Sequence, residues 1–239
     1  MTFRPYPGFT IFAVIMTGIL VGLGIWQLER LAWKENLIAT VSGHMTAAPV
    51  SLDDALKLSA DDVQYRKVAL NGHFDNAKEN FVFTTDVNGD PVYHVLTPFI
   101  TEDGRTLMVD RGEIPQTMLP PQSRKAIEGH TKVVGVWRVP DSPGAFTPAP
   151  VPDKHIWYAR DLKGMTVAGN LHLAAPVVIE ADATPNPGGW PKGGQTVVDF
   201  PNNHLSYAIT WFGLAAGLIG VYFAYHISKG RLRFSKNPT

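Results

Sequence analysis

Two long stretches without a formal charge constrain this chain more than any other feature of its sequence. Residues 9–28 read FTIFAVIMTGILVGLGIWQL, and residues 205–227 read LSYAITWFGLAAGLIGVYFAYHI. At about 1.5 Å of rise per residue, a twenty-residue helix is roughly 30 Å long, which matches the hydrocarbon core of a bilayer. We therefore predict two transmembrane helices, at residues 9–28 and 205–227.

The first stretch could also be a cleaved signal peptide. Its apolar run is longer than the usual signal core of about 7–15 residues. Bulky and polar residues, WQLER at 26–30, follow it instead of a small-residue cleavage site. We therefore expect a membrane anchor that is retained.

Flanking charges predict the orientation of the two helices. The tail 228–239 carries four basic residues and no acidic one, whereas residues 35–200 carry 14 basic and 20 acidic residues. The positive-inside rule then places residues 1–8 and 228–239 in the cytoplasm and residues 29–204 in a periplasmic domain. Arg30 and Lys34 oppose this rule on the outer side, so their presence there requires another reason.

The chain has no cysteine, which excludes disulfides, thiolate metal ligands and cysteine nucleophiles. Residues 1–8 leave no room for an arginine-rich and serine-rich transit peptide. We therefore expect a multi-pass protein of a bacterial inner membrane.

The central region combines short apolar runs with turn residues, a pattern typical of strands. The predicted strands are Lys67–Leu70, Asn80–Thr85, Val92–Ile100, Thr106–Asp110, Lys132–Val139, Val177–Ala181 and Thr196–Phe200. Short helices are predicted at 52–58, where Ser51 and Asp54 form a capping box, and at 161–170. The predicted fold class is an α+β membrane protein, in which two transmembrane helices flank a mainly antiparallel β domain with a few short helices.

Several local features complete the prediction. The first helix should continue past the membrane to Ser42 and Gly43, and residues 115–126 and 140–153 should be surface loops. The DVNGDP segment at 86–91 faintly resembles a calcium loop but lacks the closing glutamate, which favours a hairpin turn. Glycines four residues apart, at 18 and 22 and at 213 and 217, suit close packing between the two helices or on a partner.

Motifs of soluble enzymes do not occur in the sequence. We find no G-x-S-x-G, HExxH, P-loop or G-x-G-x-x-G pattern, and no two histidines stand three or four residues apart. The sequence therefore gives no reason to expect an enzyme, a compact protein metal site or a nucleic-acid partner.

Unusual residues gather where the two helices should leave the membrane on the outer side. The first helix ends with Trp26, Gln27, Arg30 and Lys34, and the second begins with His204, Tyr207 and Trp211, which share one helical face. Interfacial anchoring explains the aromatic rings without any ligand. Interfacial anchoring explains His204 and the outer basic residues less well. A ligand would explain them, because imidazole binds haem iron and basic side chains bind a carboxylate such as a haem propionate.

Six blocks of the sequence, in order, resemble the Surfeit-locus (Shy) family of cytochrome oxidase assembly factors. They are LGIWQLERLAWK (23–34), VALNGHFD (68–75), YHVLTPF (93–99), VDRGEIP (109–115), WYARDL (157–162) and NNHLSYAITWFGLA (202–215). The resemblance implies two membrane spans, a domain outside the cytoplasm, and help in installing haem in the large subunit of a haem–copper terminal oxidase. Other oxidase assembly factors and membrane lipid are the further partners that we expect.

The resemblance also implies particular residue roles. His204 takes the position of a proposed axial haem ligand, and Trp26, Gln27 and Arg30 match the first-span block. The expected cargo is haem a or haem o, bound transiently. The family's Asn-Arg-Gly-Trp block reads Asp110-Arg111-Gly112-Glu113 here, so a partner contact through that aromatic is in doubt. Two alternatives remain open: a cofactor-free docking scaffold, and a membrane-anchored hydrolase, for which the sequence contains no motif.

Overall fold

A computed structural model describes residues 2–86, 88–140, 142–198 and 200–233. These residues form two compact units. Residues up to 40 and from 200 onward form the helical unit, and residues 41–198 form the β unit. The sequence-based limits of the tails, spans and periplasmic domain remain predictions. Asp199 and part of the basic tail, including Lys236, lie outside the described residues.

Two long helices dominate the helical unit. Helix α1 runs from Pro7 to Thr46, and helix α5 runs from His204 to Ser228. Among the described helices, these two are long and apolar enough to cross a membrane. Helix α1 continues past the predicted span, as expected, and ends three residues beyond Gly43. A two-residue ribbon, in which β1 (Thr2–Phe3) pairs with β10 (Leu232–Arg233), joins the segment before α1 to the segment after α5.

The two long helices meet through small residues, but through different ones from those predicted. A Cβ atom added at Gly24 would lie 2.7 Å from the ring of Phe212, and Ala208 and Ala215 are almost fully buried on α5. Around the predicted glycines 18, 22, 213 and 217, no atom of the described residues, apart from the glycine's own helical turn, lies within 4 Å of an added Cβ. Packing of these glycines between the two helices is therefore contradicted, and the alternative, packing on a partner, stays a prediction.

The β unit is built on a sheet that closes on itself. Its eight strands are β2 (Val50–Ser51), β3 (Lys67–Phe74), β4 (Asn80–Thr85), β5 (Pro91–Thr101), β6 (Thr106–Pro115), β7 (Thr131–Arg138), β8 (Ile156–Trp157) and β9 (Leu173–Ala181). Five of these strands form a closed ring in the order β3-β7-β9-β6-β5. The ring closes because Gly72–Phe74 of β3 pair with Phe99–Thr101 of β5. Four of these five ring pairings are antiparallel, and β6 with β9 is parallel.

Short helices surround this ring. They are α2 (Leu52–Lys57), α3 (Ala60–Val63) and α4 (Leu162–Gly169). The Ser51 hydroxyl accepts the backbone N–H of Asp54, which is the N-cap half of the predicted capping box, and it donates to the Asp54 carboxylate. The Asp161 carboxylate likewise accepts the backbone N–H of Gly164 and caps α4. Both predicted short helices are confirmed.

Most of the predicted strands are confirmed within a few residues of their ends. The strand predicted at Thr196–Phe200 is wrong, since its described residues form no strand. Residues 86–91 connect β4 to β5 as a hairpin turn, in which the Asp86 carboxylate accepts the N–H groups of Asn88 and Asp90; Val87 lies outside the described residues. The described parts of 115–126 and 140–153 are irregular after β6 ends at Pro115, apart from three-residue 3₁₀ turns.

The apolar core of the β unit lies on both faces of the sheet. One cluster surrounds Phe99, Leu107 and Ile179, which are fully buried. A second surrounds Leu96, Met108 and Trp157 beneath α4. Burial on both faces explains why the strands read as nearly continuous apolar runs instead of strict alternation.

Candidate functional site

The first residue of α5 forms the most distinctive contact of the helical unit. Asn203 is the N-cap position of α5 but makes no side-chain capping bond. His204 follows it, and its Nδ1 lies 2.7 Å from Oε1 of Gln27 on α1. Gln27 is 8% exposed although it lies on a helix with an apolar surface. This hydrogen bond joins residues that are 177 positions apart in the chain.

The partner of His204 determines which ring nitrogen carries the proton. An amide oxygen can only accept a hydrogen bond, so Nδ1 of His204 is the donor. The lone pair of the neutral imidazole is then on Nε2. Among the described residues, no hydrogen bond involves Nε2 of His204. An imidazole held through one nitrogen, with the other nitrogen available, is the usual arrangement of a metal-ligating histidine.

The other predicted site residues are less closely gathered. Tyr207 is 55% exposed and Trp26 is 49% exposed, while Trp211 is half-buried. The guanidinium of Arg30 lies 4.8 Å from the ring centroid of Trp33. The ammonium of Lys34 lies 5.1 Å from the ring centroid of Phe200. The structure thus joins Gln27 to His204 directly. Trp26, Arg30 and Tyr207 are exposed, whereas Lys34 and Trp211 are half-buried.

At the opposite end of the helical unit lies a second histidine, His226, which is fully buried. Its Nδ1 donates to the backbone carbonyl of Tyr222 at 2.8 Å, and its Nε2 accepts the backbone N–H of Tyr6 at 3.3 Å. Aromatic rings surround it, those of Phe3, Tyr6, Phe9, Tyr222 and Tyr225. Both nitrogens of His226 are therefore used within the protein.

The β unit contains a polar cluster that the sequence analysis did not identify. Asp110 is buried, and its carboxylate accepts hydrogen bonds from His94 Nδ1 at 2.9 Å and from Arg160 at 2.9 Å. The guanidinium of Arg160 also lies 3.7 Å from Glu180. Burial lowers the pKa of His94, but the charge and hydrogen bond of Asp110 outweigh it and raise that pKa above its ordinary value.

The pKa of Asp110 changes in the opposite direction. Burial raises it, but the His94 charge and hydrogen bond, together with Arg160, lower it to about 2. Three of the sequence blocks in the family resemblance contribute to this cluster, because His94, Asp110 and Arg160 each lie in a different block. A run of charged residues within an apolar strand, VDRGE at 109–113, was the signal available in the sequence.

A second buried ionic cluster lies next to the first one in sequence. The Glu79 carboxylate accepts hydrogen bonds from the guanidiniums of Arg111 and Arg124, each at 2.8 Å. All three side chains are at least nine-tenths buried. The guanidiniums also lie over aromatic rings, Arg111 over Phe74 and Arg124 over Phe81. Asp110 and Arg111 thus belong to different clusters although they are adjacent in the chain.

Comparison with known proteins agrees with the sequence blocks. The model of the SURF1 family matches residues 14–216. Surfeit locus protein 1 of mouse is 34% identical over 231 residues, which are 89% of this chain and 74% of the mouse protein. The Takifugu rubripes protein of the same name is 33% identical, over 91% of this chain and 97% of its own length. The human protein is 34% identical over 84% of this chain and 72% of its length. This chain belongs to the SURF1 family.

Proposed function

We propose that this protein is an assembly factor for a haem–copper terminal oxidase, with an assembly role rather than an enzymatic one. It holds haem a or haem o transiently at the end of the helical unit where α5 begins, and it helps to insert this cargo into the large oxidase subunit. The observation that carries this proposal is the hydrogen bond from His204 to Gln27, because Nε2 of His204 would then be available to ligate haem iron.

The residues near His204 fit a haem group in their chemistry. Trp26, Tyr207 and Trp211 supply aromatic surface for an apolar macrocycle. Arg30 and Lys34 supply cations for propionate groups. Bound haem would bring an iron with a free coordination position and two carboxylates. The chain would ligate that iron through His204 and fix its imidazole through Gln27.

We further propose that both helices cross a bacterial inner membrane. Large apolar side chains are exposed along them, including Ile11, Ile15, Ile19, Ile209 and Ile219. Contact with lipid would cover such a surface, which would be unfavourable in water. The basic residues Arg4, Lys229, Arg231 and Arg233 flank the end near His226. The positive-inside rule supports a cytoplasmic position for that end and a periplasmic position for the end near His204.

A second function, cofactor-free docking on an oxidase subunit, has one observation in its favour. The glycine faces at 18 and 22 and at 213 and 217 have open space around them. Glycines at this spacing let a further helix approach closely in a membrane. Such a scaffold would bind the oxidase subunit without haem.

Purification of the full chain from haem-replete cells distinguishes the two functions. We expect the wild-type protein and His172→Ala, a control at an exposed histidine of the β unit, to show a Soret band and to copurify with the large oxidase subunit. His204→Ala should lose the Soret band and keep the subunit. A colourless wild-type protein that copurifies with the subunit would favour the scaffold, and unchanged haem content in His204→Ala would remove His204 from the proposed role.

A further inference from the structure

Arg111 occupies an irregular position in the β unit. His94 pairs with Glu113, and Leu96 pairs with Asp110, so two residues of β6 face the single Val95 of β5. This arrangement is a β-bulge, which changes the direction of a side chain relative to the regular strand. Gly112 completes the bulge with a φ of +114°, a backbone conformation that strongly favours glycine.

Gly112 also lets a long loop pass close to the bulge. A Cβ atom at this position would overlap the carbonyl group of Lys192. Lys192 and Glu113 exchange backbone hydrogen bonds of 2.9 and 3.0 Å. The same loop, which follows β9, contributes Asp182 and Asn186 to one wall of a cleft that Arg111 lines. The bulge and the loop therefore place Arg111 in the lining of this cleft, with its side chain 2% exposed.

The charges around Arg111 are not balanced within its cluster. Glu79 is the one carboxylate that pairs with both Arg111 and Arg124 in the described part of the chain. The pKa of Arg111 is below its ordinary value, because burial and the nearby charge of Arg124 together lower it by more than the charge of Glu79 raises it. Buried cations are normally matched by anions. The cluster therefore has one positive charge in excess and could accept one further anion.

The hydrogen-bond donors of Arg111 show where that anion would bind. Nη1 donates to Glu79 at 2.8 Å and to Asn76 at 3.3 Å. Among the described residues, Nε is buried without an acceptor, and no hydrogen bond involves Nη2. Nε and Nη2 form one edge of the guanidinium, and a carboxylate can accept two parallel hydrogen bonds from such an edge.

The cleft itself has a volume of about 490 Å³, within the range of roughly 300–1,000 Å³ typical of small-molecule sites. Its apolar lining comes from Phe74, Ile127, Val133, Pro185 and Pro187. Its other charged side chains are Lys132 and Asp182. Lys132 and Asp182 have opposite charges, and Arg111 shares its Glu79 partner with Arg124.

We propose that this cleft is a binding site for a small organic acid, with its carboxylate on the Nε and Nη2 edge of Arg111 and its apolar body against Phe74 and Val133. A free acid fits the size of the cleft, since a volume of about 490 Å³ is typical of small-molecule sites. The lining residues of β7 pair with β3, and β9 pairs only with Gly135–Arg138. The site lies in the β unit and does not depend on the proposed haem role of His204.

Binding of benzoate and benzamide to the full chain in detergent tests the proposal, because the two probes have the same shape and differ in charge. Isothermal titration should show benzoate binding at least tenfold more tightly than benzamide. Arg111→Lys keeps the charge but removes the paired donors, and should weaken benzoate binding at least tenfold. Lys132→Gln should weaken it about two- to threefold, whereas the control Lys57→Gln, outside the cleft, should leave it unchanged.

Three results would overturn the proposal. They are equal affinity for benzoate and benzamide, no binding of either probe, or equal effects of Lys132→Gln and Lys57→Gln. The lysine variants and the two probes keep the test valid if Arg111→Lys does not fold. A short peptide with a free C-terminal carboxylate, compared with its amide, forms the second arm. Binding of that peptide without binding of benzoate would show that the site takes a chain terminus instead of a small acid.

Discussion

The two ends of the helical unit each carry a histidine on α5, and the two histidines differ in what their ring nitrogens contact. His226 is fully buried among aromatic rings, and both of its nitrogens have backbone partners. His204 is half-buried, and its Nδ1 donates to Gln27. The same residue type thus connects the helix ends at one site and presents an available nitrogen at the other. We expect His226 to stabilise the fold and His204 to bind a ligand.

The largest expected effect is on stability, at His226. His226→Ala removes a buried ring and leaves the N–H of Tyr6 and the carbonyl of Tyr222 without partners. We expect the free energy of unfolding to fall by about 3 kcal/mol. His204→Ala is the matched variant at the other end, and it should cost less than about 1 kcal/mol. Denaturant unfolding in detergent measures both, and equal losses would remove the distinction between the two histidines.

A third histidine, His94, extends the comparison to the β unit, because its Nδ1 faces a carboxylate. Asp110 has its pKa lowered from 3.8 to about 2, so it contributes stability above pH 4 that is lost as the pH falls toward 2. The pKa of His94 is raised from 6.5 in the folded protein. The stability that protonated His94 contributes is therefore complete below pH 6.5, and it is lost as the pH rises through the pKa of His94 in the folded state.

Asp110→Asn should therefore lower the free energy of unfolding by roughly 2 kcal/mol at pH 5 and reduce its dependence on pH in both windows. Asp61→Asn, at an exposed position on α3, is the control. Unfolding curves from pH 2 to pH 8 check this prediction. A variant with the wild-type pH profile would show that the ion pair of His94 and Asp110 does not contribute to stability.

A smaller effect is expected at Gln27. Gln27→Leu removes the acceptor that keeps the proton on Nδ1 of His204, and we expect haem affinity to fall about tenfold. Gln27→Glu restores an acceptor and should bind haem at least as tightly as the wild type. Haem titration followed at the Soret band measures both. Equal affinity of the leucine variant and the wild type would show that His204 needs no positioning partner.

The smallest effect is expected at Lys34. Its ammonium lies over the ring of Phe200 and would face a propionate in the proposed arrangement. Lys34→Gln should lower haem affinity about threefold, because an exposed ion pair contributes only modestly. Glu29→Gln on the same helix is the control of opposite charge, and it should not weaken binding. A larger loss at Glu29 than at Lys34 would contradict the propionate assignment.

Local features of this fold could be predicted from the sequence, because they depend on nearby residues. The capping box of Ser51 and Asp54 and the turn at 86–91 involve residues at most five positions apart. Both apolar helices could also be identified, since their length and composition suffice. The structural role of His226 could not, because its partner Tyr6 is 220 positions away.

Features that depend on distant pairing were missed or predicted wrongly. The closure of β3 on β5 and the bulge at Arg111 depend on strand register, which no local pattern specifies. The segment 196–200 has an apolar pattern typical of a strand, but its described residues pair with no strand. Of the seven candidate site residues, Gln27 and His204 are in direct contact, and the haem-binding roles of all seven remain predictions.

Chemical rescue at His204 tests the central claim most directly. In His204→Gly, the proposed haem ligand and its hydrogen bond to Gln27 are both removed. We predict that the purified full chain from haem-replete cells loses its Soret band in this variant and regains it when imidazole is added during haem loading. An unchanged Soret band in His204→Gly without imidazole would contradict the claim that this histidine holds the haem.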